Sequence, residues 1–97
     1  MINIIKRNGV ITVNGHAGYA PIGFDIVCAS VSILVNNLIN SVNELTEDTI
    51  EYDATPGMAT IKHGNLSEGA SLLVDSFFVG IETISTNYPQ YVRLEKR

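Results

Sequence analysis

Residues 25–45 read DIVCASVSILVNNLINSVNEL, and this stretch decides the fold. Val27, Val31, Leu34, Leu38, Val42 and Leu45 recur every three or four positions, the spacing that lines up one apolar stripe on a helix about 20 residues long. Asp25 is the natural N-cap, because its carboxylate can accept a hydrogen bond from a free first-turn N–H. Cys28 then becomes the third helical residue, at the shoulder of the stripe and one turn before Ser32. Asn36, Asn37, Asn40, Asn43 and Glu44 make the opposite side polar. Ile33 interrupts that side and points to a second contact, between subunits.

Upstream, Ile2 to Arg7 and Val10 to Asn14 read as a hairpin around Asn8-Gly9, a dipeptide suited to a turn that needs positive φ at both positions. Ile11 and Val13 share one face of the second strand, Val10 and Thr12 the other. Gly15 to Gly23 holds no period and reads as an exposed loop carrying His16. Downstream, Thr49 to Thr55 and Met58 to His63 flank Pro56-Gly57, a type II turn pattern. Leu66 to about Thr86 is a second helix, capped by Ser67, with Ala70, Leu73, Val74, Phe77, Ile81 and Ile84 inward. Gly80 within it is a position for close packing. Pro89 ends the helix, and Tyr91 to Glu95 is a last strand. The order β-β-α-β-β-α-β predicts a compact two-layer α/β domain over residues 1–97, with two long helices on one face of a mixed sheet.

At 97 residues, one domain is expected, and a hydrophobic fraction of 45% supports one dense core. Six Lys and Arg against ten Asp and Glu give a net charge of -4, which offers no basic stripe for phosphate. Direct nucleic-acid binding is therefore not expected. No unbroken run approaches the 18 apolar residues of a membrane span, and the N-terminal alternation is not a targeting segment. One cysteine makes no internal disulfide, so a reduced, cytoplasmic setting is expected.

Cys28 and His16 are the candidate catalytic residues. A free thiol is only about 3% ionised at pH 7, yet the thiolate is the attacking species. A helix start favours an anion by about 0.3–1 kcal/mol, too little to ionise a thiol without a cationic neighbour. His16 meets that need if the 17–27 segment folds it back to Cys28, and its ring can later protonate a leaving amine. Free helix N–H groups beside Cys28 would hold an oxyanion. Asp25 either caps the helix or orients His16, and Ser32 either lines a pocket or fills space. The alternative to an enzyme is a noncatalytic protein-binding module with Cys28 buried. Cys28, His16, His63 and Asp25 lack paired metal-ligand spacing, so no metal or other cofactor is expected, and His63 reads as exposed or structural.

Gly15-His16-Ala17-Gly18-Tyr19, Gly23, and Asp25-Ile26-Val27-Cys28-Ala29 through Ser32 resemble the signature of the bacterial ribosomal-processing cysteine proteases, the Prp family. The resemblance extends over nearly the whole chain. It implies a compact α/β peptidase, usually homodimeric, that removes a short N-terminal extension from ribosomal protein bL27 during ribosome assembly. It places the family's nucleophile on Cys28, its histidine on His16, its aspartate on Asp25, and a serine near substrate on Ser32. It also implies bulky apolar residues before the cut.

Overall fold

The computed structural model describes residues 1–21 and 23–96. Its elements are β1 (Ile2–Arg7), β2 (Val10–Asn14), α1 (Ile26–Leu45), β3 (Glu51–Thr55), β4 (Met58–Lys62), α2 (Glu68–Asn87) and β5 (Val92–Lys96). The sequence order is as expected, and the strands form one mixed sheet in the order β3-β4-β2-β1-β5. β1 pairs antiparallel with β2 and parallel with β5. That parallel pair needs a crossover, which α2 supplies.

Local chemistry accounts for the boundaries. Asn8 and Gly9 sit at φ 49° and 76°, as a two-residue hairpin of this hand requires. Asp25 caps α1 by accepting from Val27 N and Cys28 N, and Ser67 caps α2 by accepting from Ala70 N. The helices pack on each other and on the sheet face that carries Ile2, Ile4, Ile11, Ile61 and Val92, forming one core cluster. Burying each such Ile or Val contributes about 1.5–3 kcal/mol. Gly80 permits the close helix approach expected of it: a Cβ there would stand 2.9 Å from Leu34 Cδ1.

The buried face of α1 is wider than the predicted stripe, because the helix touches both α2 and the sheet. Val35 and Ile39 join the core, whereas Leu45, the last residue of the helix, is 73% exposed. α2 likewise buries Phe78 beside Phe77, the two rings edge to face at 5.1 Å. By mean hydropathy, 1.4, rather than by an unbroken apolar run, α1 is long and apolar enough to cross a membrane. In this fold its apolar side packs against α2 and the sheet.

All five residues of β3 are exposed. Tyr52 and Ala54 are in register with Ile61 and Ala59, so they lie on the helix-covered side of the sheet. At this edge the β3–β4 hairpin and α1 stand apart, leaving a cleft between them.

Candidate active site

The cleft encloses about 320 Å³ and is lined by His16 and Cys28 together with Ser32 and Asn36 of α1 and Ala54, Thr55, Gly57 and Met58 of the hairpin. Val31 and Val35 form its apolar floor and belong equally to the core. The structure thus brings His16 and Cys28 to one opening and adds Asn36, which the sequence puts on the polar side of the helix. The signal for Asn36 is its spacing: it follows Cys28 and Ser32 at steps of four, each turning about 40° round the helix, so it lies about 80° from Cys28, at the edge of the same wide face.

Cys28 is partly buried, with a free thiol that leans on the core. Its Sγ receives a hydrogen bond from Ala17 N at 3.3 Å. Ala17 itself is buried, so the stretch between Gly15 and Gly23 is anchored here rather than wholly exposed.

Asp25 is the hub of the local geometry. Oδ1 accepts from Cys28 N at 2.9 Å and from Val27 N at 3.1 Å, while Oδ2 accepts from Tyr19 N at 3.1 Å. The amide of Cys28, followed by those of Tyr19, Ala20 and Val27, holds its carboxyl below the ordinary value, against an opposing effect of desolvation. Both carboxylate oxygens are therefore engaged with backbone amides, and it is the cap rather than an orienting bond to His16 that the geometry realises. The same contacts correct the expected oxyanion site. Val27 N and Cys28 N are taken by the Asp25 side chain and Ala29 N by its carbonyl, so these first-turn amides are not free.

His16 is exposed at the mouth of the cleft and is positioned from below by the hairpin turn. Gly15 N donates to Gly57 O at 2.8 Å, and the His16 imidazole lies so close over Gly57 that a Cβ there would stand 2.7 Å from Nε2. Gly57 has φ 77°, the conformation its type II turn demands. Among the described residues, the bond to Cys28 Sγ comes from Ala17 and not from His16. Tyr19, next along the loop, packs edge to face on Tyr88 and Tyr91 at 5.7 and 5.2 Å, tying the loop to the junction of α2 and β5.

His63 belongs elsewhere. Met58, at the start of β4, pairs with Asn14, whereas Lys62 pairs with Val10, so His63 lies at the opposite end of the sheet from His16. His63 N donates to Gly9 O at 2.9 Å, and its Nε2 is buried without a hydrogen-bond partner. Desolvation, with Lys6 nearby, lowers its pKa, opposed by a bond with the Gly64 backbone.

Comparison with known proteins agrees in fold and family. The family model described as Cysteine protease Prp matches residues 1–93. The ribosomal processing cysteine protease Prp of Staphylococcus aureus (strain Mu50) is 30% identical over 87 residues, covering 87% of this chain and 82% of the relative. The protein of the same description from Mycoplasma pneumoniae is 27% identical over 99 residues, covering 98% and 94%. Among solved structures, the Staphylococcus aureus protease Prp with a covalently linked product peptide superposes with a TM-score of 0.90 at 23% identity, covering 99% of this chain and 97% of that one. Streptococcus mutans SMU.848 does so with a TM-score of 0.77 at 32% identity, covering 98% and 90%. A family match that runs from the first strand into the last, joined by a relative at 30% identity over most of both chains, places this chain in the Prp family of cysteine proteases.

Proposed function

We propose that the protein is an endopeptidase that removes the N-terminal extension of ribosomal protein bL27, with Cys28 as nucleophile and His16 as general acid and base. The observation that carries this is the convergence of Cys28 and His16 on one open cleft, with the Ala17 amide already directed at the Cys28 sulfur. The relatives described as ribosomal processing proteases support the substrate class.

In the first step the Cys28 thiolate forms a bond to the scissile carbonyl carbon, and the carbonyl π pair moves onto oxygen. With the Val27 and Cys28 amides committed to Asp25, the Ala17 N–H is the donor placed to pass from sulfur to that oxyanion. Collapse of the intermediate breaks the C–N bond, and protonated His16 gives its proton to the departing amine. Water then attacks the thioester while His16 accepts its proton, releasing the new carboxylate and the Cys28 thiolate. No cofactor enters these steps. The protein would act in the cytoplasm, where the substrate is made, and as a homodimer joined through outward apolar side chains such as Ile33 of α1 and Leu72 and Val79 of α2.

The direct test is incubation with bL27 precursor from the same genome, with the products read by mass spectrometry. Wild type should give one internal cut near the N-terminus, and Cys28→Ala and His16→Ala should give none while still folding. Turnover by Cys28→Ala would remove the nucleophile assignment. A protein that leaves the precursor intact under all conditions would remove the substrate assignment.

A further inference from the structure

Building on the peptidase function proposed above, we infer that Asn36 is a substrate-positioning residue that hydrogen-bonds the peptide backbone about four residues upstream of the cut. Cys28, Ser32 and Asn36 are spaced by four along α1, and all three line the same cleft. At 1.5 Å per residue, Ser32 lies about 6 Å and Asn36 about 12 Å from Cys28 along the helix axis. An extended peptide advances about 3.3 Å per residue and presents equivalent backbone groups every second residue, about 6.7 Å apart. Helix and peptide therefore run nearly in step: with the scissile carbonyl at Cys28, Ser32 meets the backbone about two residues away and Asn36 about four.

The side chains around these polar groups suit that occupant. Val31 and Val35 make an apolar floor, and Ala54 and Met58 an apolar opposing wall, for the alternate side chains of an extended strand. Ser32 and Asn36 are both exposed, so they can offer a hydroxyl and a carboxamide without first breaking a core contact. Asn carries both donors and an acceptor, so it can satisfy either backbone group of a peptide. Direction follows from His16. It must reach the leaving amine, and its ring lies over the Gly57 turn, whereas Asn36 lies about two turns beyond Cys28 along α1. The amine side of the substrate thus leaves past His16, and the acyl side runs down the cleft toward Asn36.

The experiment crosses enzyme with substrate length. Two bL27 peptides spanning the cut carry the same residues after it but either six or three residues before it. Wild type and Asn36→Ala are compared by kcat/KM on each. One net hydrogen bond is worth about threefold to tenfold here. Wild type should lose at least about that much on trimming from six residues to three, and Asn36→Ala should lose measurably less, by the same factor. Asn36→Ser, which keeps a short donor and acceptor, should regain part of the length dependence. A change that merely disturbed the fold would lower both peptides alike. Equal length dependence in wild type and Asn36→Ala, or none in wild type, overturns the inference while leaving the peptidase function standing. Absence of cleavage of either peptide by wild type overturns the peptidase function itself.

Discussion

Replacing Gly57 by alanine should disable the site from the far side of the cleft, with both candidate catalytic residues left in the sequence. The added Cβ would stand 2.7 Å from His16 Nε2, whereas ordinary contact begins near 3.4 Å. The imidazole or the turn must therefore yield by roughly 0.7 Å. A displacement of about 1 Å at a reacting group costs about 100-fold, so a loss of about 10- to 100-fold in kcat is expected. The substitution also strains the backbone, since Gly57 has φ 77° and alanine pays about 1–2 kcal/mol in the left-handed region. Gly64 separates the two effects: it has φ 47°, and nothing lies within 4 Å of a Cβ built there. Gly64→Ala should thus lose stability in urea without the loss of turnover. The assay is steady-state cleavage of the bL27 precursor peptide, paired with urea unfolding of both variants. A Gly57→Ala enzyme that is destabilised like Gly64→Ala but turns over within twofold of wild type would refute the claim that the hairpin fixes His16.

Other consequences are open to measurement. Asp25→Ala should release the amides of Tyr19, Val27 and Cys28 together, seen as faster hydrogen exchange at all three and a loss of turnover; unchanged exchange at Tyr19 would mean that the loop is held by other contacts. The lowered pKa of His63 means that folding favours its neutral ring, so its contribution is intact above pH 6.5 and stability should fall as pH drops from there through the folded pKa. Urea midpoints of His63→Gln should lack that component of the acid-side decline, and equal slopes for the two proteins would exclude it. Gly80→Leu should cost about 1–3 kcal/mol through collision with Leu34, measured by thermal or urea unfolding, and a stabilised variant would show that the helices can part freely.

Local signals were legible wherever the chemistry acts between neighbours in sequence. Asn8-Gly9, Pro56-Gly57, Asp25 and Ser67 each determine their own turn or cap within four residues, and the structure has them where the sequence put them. The width of the buried arcs was not legible, because periodicity reports one stripe while α1 is covered from two directions; Val35 and Ile39 enter the core for that reason, and Leu45 leaves it. The pairing of His16 with Cys28 in one cleft could be read from their motif, but the close approach of Gly57 to His16 could not, since it joins segments far apart in sequence. Asp25 shows the same division. That it caps the helix follows from its position, whereas its second oxygen on Tyr19 depends on the path of the loop and removes the first-turn amides from the oxyanion role that sequence alone offered them.

Val31 and Val35 have no surface of their own to spare: they are at once the floor of the cleft and part of the inner wall of the core. Ser32 and Asn36, on the open side, can drift among residue types at little thermodynamic risk, so changes in which peptide is preferred have an inexpensive route through them. Enlarging the floor has no such route. Trimming either valine would deepen the cleft and loosen the packing in the same stroke, so descendants of this chain that accept bulkier side chains would need a compensating change elsewhere in the core before the deeper cleft could be tolerated.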